Sequence, residues 1–273
     1  MTPAHTHDDH DDFGGLQRDL LATGVALDRR QLLRLAAGYG ALQLLGCSAS
    51  SVTAATSTTT TTASGSCTKI PEETAGPFPG DSSNGPNVLN LSGVVRRDIR
   101  TSFAGLSGTA AGIPLAVTLT IASATGSCAP LSDRAVYLWH CDRGGLYSLY
   151  SAGATNQNYL RGVQVTDANG QVSFTSIFPA CYSGRWPHIH FEIYPSLASA
   201  TSFAGKIATA QLALPKVTCD LVYATTGYQA SVANLSQTSL TSDMVFSDGS
   251  TNQVATMSGD VASGFSAALT VPV

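Results

Sequence analysis

Four stretches of the chain alternate apolar and polar positions with a period of two. Leu115, Val117, Leu119 and Ile121 are interleaved with Ala116, Thr118 and Thr120. Val136, Leu138 and His140 alternate with Tyr137, Trp139 and Cys141, and Ile189, Phe191 and Ile193 with His188, His190, Glu192 and Tyr194. A fourth run, around Val172 and Phe174, follows Asp167-Ala168-Asn169-Gly170. Successive side chains of a strand point to opposite faces, so this spacing predicts strands. The Asp-Ala-Asn-Gly stretch predicts a hairpin turn between two of them. No long stretch from Thr68 onward has a strong helical period. The pattern therefore predicts an all-β sandwich or barrel with long loops and a few short helices, one of them near 205–212.

Upstream the pattern changes twice. Arg29-Arg30 precede an apolar run from Leu32 to Leu45 that ends in Leu44-Leu45-Gly46-Cys47. The run is shorter than the roughly 20 residues a bilayer span needs, but it suits the apolar part of an export signal of the twin-arginine kind. Its end resembles a lipoprotein box, which implies cleavage before Cys47 and a lipid on that thiol; an ordinary signal peptide or a short buried helix is the plainer alternative. Residues 48–66 are Ser, Thr, Ala and Gly apart from Val52, a composition that works as a tether. The expected organisation is residues 1–47 as tail and signal, 48–66 as tether and 67–273 as one catalytic domain. The protein is expected to be exported, in the periplasm or otherwise outside the cytoplasm, touching the membrane only through its signal or lipid.

Composition narrows the function classes. The chain is 43% hydrophobic and only 12% charged, with a net charge of −4. Acids and bases nearly balance beyond Thr68 and form no basic stripe, which argues against nucleic acid as a partner. The N-terminal His5, His7 and His10 lie among aspartates and are expected to form a solvated tail. Besides Cys47, five cysteines remain, an odd number without a CxxC pair. Two disulfides are expected, with Cys181 as the free thiol.

The chemistry concentrates around His188-Ile189-His190. On a strand both imidazoles project from one face while Ile189 points into the core, a geometry for two ligands on one metal. Imidazole alone does not choose the metal. A nearby phenolate would favour a trivalent ion, and Tyr182 precedes the pair in Cys181-Tyr182-Ser183-Gly184-Arg185-Trp186-Pro187-His188. Taken singly, Tyr182 also reads as a packed aromatic.

These segments resemble the intradiol ring-cleavage dioxygenases, the family of the catechol 1,2-dioxygenases and protocatechuate 3,4-dioxygenases. The resemblance spans roughly residues 68–215. It rests on Leu160-Arg161-Gly162, Val165-Thr166-Asp167-Ala168-Asn169-Gly170, Phe174, Pro179, Tyr182…Arg185…His188-Ile189-His190-Phe191, and Val136 to Tyr147 with its Gly-x-Tyr turn. It implies a β-sandwich of mainly antiparallel strands and a non-haem Fe(III) centre without an organic cofactor. The implied metal ligands are Tyr147, Tyr182, His188 and His190. Arg185 is implied as the cation that stabilises charge developing on the ring. Tyr182 is implied as the ligand that leaves and takes a substrate proton, and Gln211 as a hydrogen-bonding partner of Arg185 or the substrate. Thr74-Ala75-Gly76-Pro77 resembles the segment lining the family's substrate mouth.

The implied reaction joins a small aromatic diol and O2: the ring opens between its two hydroxyl-bearing carbons to give a muconate-type dicarboxylic acid. Some features depart from the family pattern. His140-Cys141-Asp142 replaces the more usual Gln-Ala-Asp/Asn, and the segment after Pro215 is unlike the cytoplasmic members. His140 is expected to be a satisfied core residue. Two other readings stay open: a tethered, non-catalytic binding module, and a zinc or copper enzyme using His140, His188 and His190.

Overall fold

The computed structural model describes residues 68–125 and 127–273. The expected signal, the expected tether and Cys47 lie outside these residues. Eight strands form two four-stranded sheets. The strands are β1 (Pro114–Ala122), β2 (Ala135–Trp139), β3 (Arg161–Val165), β4 (Gln171–Ile177), β5 (His188–Tyr194), β6 (Ala208–Ala213), β7 (Thr256–Asp260) and β8 (Gly264–Pro272). One sheet has the order β4-β1-β8-β7 and the other β3-β2-β5-β6. All pairs are antiparallel except β1 with β8. This is the expected all-β sandwich.

The period-two positions decide which faces meet. Leu115, Val117, Leu119 and Ile121 of β1 pack with Val136 and Leu138 of β2 and with Ile189, Phe191 and Ile193 of β5 in the core between the sheets. Burying side chains of this size stabilises the fold by roughly 1.5–3 kcal/mol each. The opposite face of the β3-β2-β5-β6 sheet is buried too. Tyr137, Trp139 and Tyr194 pack there under Val88, Leu89, Val94 and Tyr147, side chains from the loops before β1 and after β2. Every residue of β5 is therefore buried, His188, His190 and Glu192 included. Polar residues stand inside this molecule because a layer of loops covers the second face of the sheet.

Three expectations are corrected. The Asp167–Gly170 turn forms, with Gly170 N donating to Asp167 O and Asp167 N to Gln171 O, 2.9 Å each. It makes no hairpin, because β3 pairs with β2 and β4 with β1, so the turn carries the chain from one sheet to the other. Alternation reports which face a residue takes but not which strand lies beside it. Gly170 sits at φ +72°, and a Cβ there would stand 2.4 Å from the Ile121 carbonyl, so β1 itself fixes the turn. Second, residues 205–212 hold no α-helix: Ala208–Ala213 is the strand β6, buried throughout, where tertiary pairing overrides the helix preference of its alanines. The two α-helices come later, α1 (Lys216–Tyr223) after Pro215 and α2 (Gln229–Ser236). Third, Cys128 is disulfide-bonded, but Cys141, Cys181 and Cys219 are all free and buried, so a second disulfide among the described cysteines does not form. Cys181 is free as expected.

Candidate active site

Strand register builds the floor of the site. Across the β2–β5 pair Trp139 stands opposite His190, and across β5–β6 Gln211 does. His188 and His190 share the face turned toward the covering loops. The Trp186 carbonyl can only accept, so the 2.5 Å contact from His188 Nδ1 puts the proton there and the lone pair on Nε2. Trp186 is itself anchored by its indole N–H, which donates to Leu214 O at 2.9 Å.

The two tyrosines arrive on turns. After β2, Asp142 Oδ1 accepts the Gly144 and Leu146 amides at 2.8 and 3.0 Å, closing a turn that delivers Tyr147. Gly145 in that turn has φ +88°, and a Cβ there would lie 3.3 Å from Tyr182 Cβ, so glycine lets the two tyrosine segments meet. Tyr182 lies in the β4–β5 loop beside Cys181, whose backbone is held by α2: Cys181 N donates to Ser231 Oγ at 3.0 Å and Asn234 Nδ2 to Cys181 O at 2.8 Å.

These elements bring four donor atoms together. Tyr147 Oη lies 3.4 Å from Tyr182 Oη, 3.4 Å from His188 Nε2 and 3.2 Å from His190 Nε2. His188 Nε2 lies 3.2 Å from Tyr182 Oη and 3.0 Å from His190 Nε2. Two hydroxyls and one imidazole N–H cannot bridge all these contacts, so lone pairs face one another across the cluster. A cation among them resolves that conflict. With metal–ligand bonds of about 2.0–2.2 Å, donors around one ion stand roughly 3–3.5 Å apart, as these do. Among the described residues no group of three His, Cys, Asp or Glu is placed to hold a metal; the donor set here is two histidines and two tyrosines.

Burial sets the protonation states. It lowers His188 to about 3, helped by Arg185, and His190 well below the usual imidazole value, helped by His188. Both are neutral and ready to ligate. Burial raises Tyr182 to about 12 against the pull of Arg185, and Tyr147 further, with Tyr182 adding to the effect. The phenols therefore stay protonated unless a cation offsets their charge, as it does for ligands at metal sites.

Arg185 lies beside this cluster, 5% exposed. Its Nε donates to Asp243 Oδ2 at 3.0 Å and its Nη2 to Gln211 Oε1 at 2.6 Å. Gln211 in turn donates to Thr74 O at 2.9 Å, and the Gly76 backbone passes close over the His190 ring. Every expected site residue thus lies in one place, together with the expected mouth segment. Sequence reasoning missed Asp243, Trp139 as the neighbour of His190, and Arg161. Arg161 is 1% exposed, and its guanidinium donates to Phe78 O, Pro79 O, Ser148 O, Ser148 Oγ and Tyr137 Oη. It ties the mouth segment to the turn that carries Tyr147. A hint existed in the Leu160-Arg161-Gly162 motif; nothing marked Asp243, which lies in the irregular segment after α2.

His140 is a satisfied core residue, as expected. Its Nδ1 donates to Cys141 O and its Nε2 accepts from Ser176 Oγ, both at 2.7 Å. Neither nitrogen is left for a metal, so the three-histidine centre of the zinc or copper alternative does not form.

Comparison with known proteins bears on the sandwich and on part of this cluster. Residues 85–187 match a family model described as Dioxygenase. An intradiol ring-cleavage dioxygenase from Tetranychus urticae is 22% identical, covering 76% of this chain and 94% of its own, with a TM-score of 0.57. A second dioxygenase structure is 23% identical over the same shares, with a TM-score of 0.58. No curated protein matches the sequence. The sandwich is thus the fold of intradiol ring-cleavage dioxygenases of known structure.

Proposed function

We propose that the cluster of Tyr147, Tyr182, His188 and His190 holds a non-haem iron(III), and that the protein cleaves a catechol-type ring between its two hydroxyl-bearing carbons with O2, giving a muconate-type dicarboxylic acid. The observation that carries this reading is the convergence of two phenol oxygens and two imidazole nitrogens at 3.0–3.4 Å. Two phenolates supply the hard anionic charge that a trivalent ion favours over a divalent one. An iron(III) held by these four residues would supply Lewis-acid chemistry toward the oxygens of a diol.

The chain's own residues contribute three things. Tyr182, nearer the surface than Tyr147, is the phenolate that accepts a diol proton as the substrate binds. Arg185, buried and permanently cationic, faces negative charge that develops on the ring. Gln211 holds that guanidinium from the strand beside His190. The covering loops exclude water from the cluster, which strengthens each of these interactions. The same residues argue against the binding-module reading, since a docking surface requires no such donor set. Export with a lipid on Cys47 remains part of the proposal.

The test is to purify the protein, load it with iron and record its visible spectrum, then follow oxygen uptake with catechol, protocatechuate and hydroxyquinol. A tyrosinate-to-iron band that shifts with a diol, together with oxygen consumption, supports the reading. A protein that stays colourless after iron loading refutes it.

A further inference from the structure

The guanidinium of Arg185 is held along one edge only. Asp243 takes Nε and Gln211 takes Nη2. Among the described residues no group takes Nη1, and the guanidinium lies within electrostatic reach of Tyr182, Tyr147 and His188. Asp243 is itself fully buried and firmly placed: Oδ2 also accepts the Trp186 amide at 2.6 Å, and Oδ1 accepts the Val245 and Phe246 amides at 2.8 and 3.2 Å. The carboxylate therefore belongs to the backbone that leads into His188. It fixes the arginine from the side away from the free Nη1.

The pairing also settles the charge that a substrate meets. Arg185 and Asp243 form a buried ion pair at 3.0 Å. Arg161 has every N–H taken by carbonyl and hydroxyl oxygens. Arg143 is exposed and lies against Gly227. Two further carboxylates, Glu73 and Asp248, lie within electrostatic range of one another, and Glu73 also of Arg185 and Asp243. Of the two buried arginines, Arg161 keeps its charge but has no N–H free, and Arg185 is paired with Asp243, so neither offers a ring carboxylate both a free donor and an unpaired charge.

We infer that Asp243 is a positioning residue: it turns the free Nη1 of Arg185 toward the bound ring and, by neutralising the guanidinium, sets the site for a diol ring without a carboxylate substituent. This rests on the catechol reading above and names its substrate class.

The experiment is an anaerobic titration of the iron-loaded protein with catechol and with protocatechuate, followed by tryptophan fluorescence so that binding is read without turnover. Wild type is expected to bind catechol the more tightly. Asp243→Asn leaves Arg185 uncompensated and is expected to move the ratio of the two dissociation constants toward protocatechuate by about tenfold, the order of one charge interaction under water-like screening. Asp243→Glu restores the charge but displaces it by a methylene, so the ratio returns while turnover with catechol stays low. That split would not arise from a purely structural residue. Should Asp243→Asn fail to fold, Gln211→Glu adds negative charge to the same guanidinium and is expected to move the ratio the opposite way. A wild type that prefers protocatechuate, or a ratio indifferent to both charge changes, overturns the inference alone. A wild type that binds neither ring overturns the catechol reading, and this inference with it.

Discussion

Trp139 lies flat against His190, with ring centroids 5.0 Å apart and planes 5° from parallel. His190 Nδ1 is buried with no hydrogen-bond partner among the described residues. Ligating histidines ordinarily donate that proton to an oxygen, which fixes the ring; here an indole face does the orienting. Trp139→Leu is expected to weaken iron binding roughly tenfold, the lower end of what losing such an orienting partner costs. Trp139→Phe, which keeps an aromatic face, should lose less. Competition with a chelator measures both.

Tyr147 and His140 separate the tyrosine–histidine centre from a three-histidine one. Tyr147→Phe is expected to abolish stoichiometric iron and the visible band, checked by metal analysis and spectroscopy. His140→Ala should leave iron content unchanged. It strands the Ser176 hydroxyl and the Cys141 carbonyl, so it should lower stability by about 1–3 kcal/mol, measured by denaturant unfolding.

Arg161→Met keeps an unbranched apolar stem but leaves the carbonyls of Phe78, Pro79 and Ser148 without their donor. Several buried acceptors lose their partner at once, so a loss of at least about 3 kcal/mol is expected. The mouth segment would part from the Tyr147 turn. Faster proteolysis within residues 77–84 than in wild type would report that separation directly.

Two carboxyls give stability a pH dependence. Burial raises Glu73 from 4.5 to about 7 despite its hydrogen bond from Gln253, and raises Glu192 to about 7 despite Lys206. The folded state holds these protons more tightly than the unfolded chain. Below pH 4.5 both states are protonated and the contribution is complete; between about 4.5 and 7 the unfolded chain ionises first, and stability falls. Melting temperature is expected to drop across that window and level off above it, and Glu73→Gln should flatten part of the slope.

Much of this was legible in the sequence, for identifiable reasons. Period two in β1, β2 and β5 gave the strands and their faces, and the His-x-His pair on β5 gave a shared direction for two ligands. The role of Gln211 as a partner of Arg185 came from resemblance alone, and its place opposite His190 only from the register. What escaped was set by contacts distant along the chain. Whether Asp167–Gly170 joins strands within a sheet or between sheets depends on the neighbours of β1. Asp243 reaches Arg185 from a segment without regular structure, where one aspartate looks like any other. Trp139 reads as core until the register puts it opposite His190.

The parallel pairing of β1 with β8 bears on how the molecule assembles. Leu115 stands opposite Phe265 and Ile121 opposite Val271, so a central ladder of one sheet joins distant parts of the chain. Closing so large a loop has to precede any reward from the contacts it makes, and topologies of this kind fold slowly, in milliseconds to seconds or longer. Until β8 docks, β1 presents an open edge of Leu, Val and Ile to any neighbouring chain. Refolding yield should therefore fall as protein concentration rises, while the tyrosines and histidines, grouped on β5 and two nearby turns, can assemble before that last strand arrives.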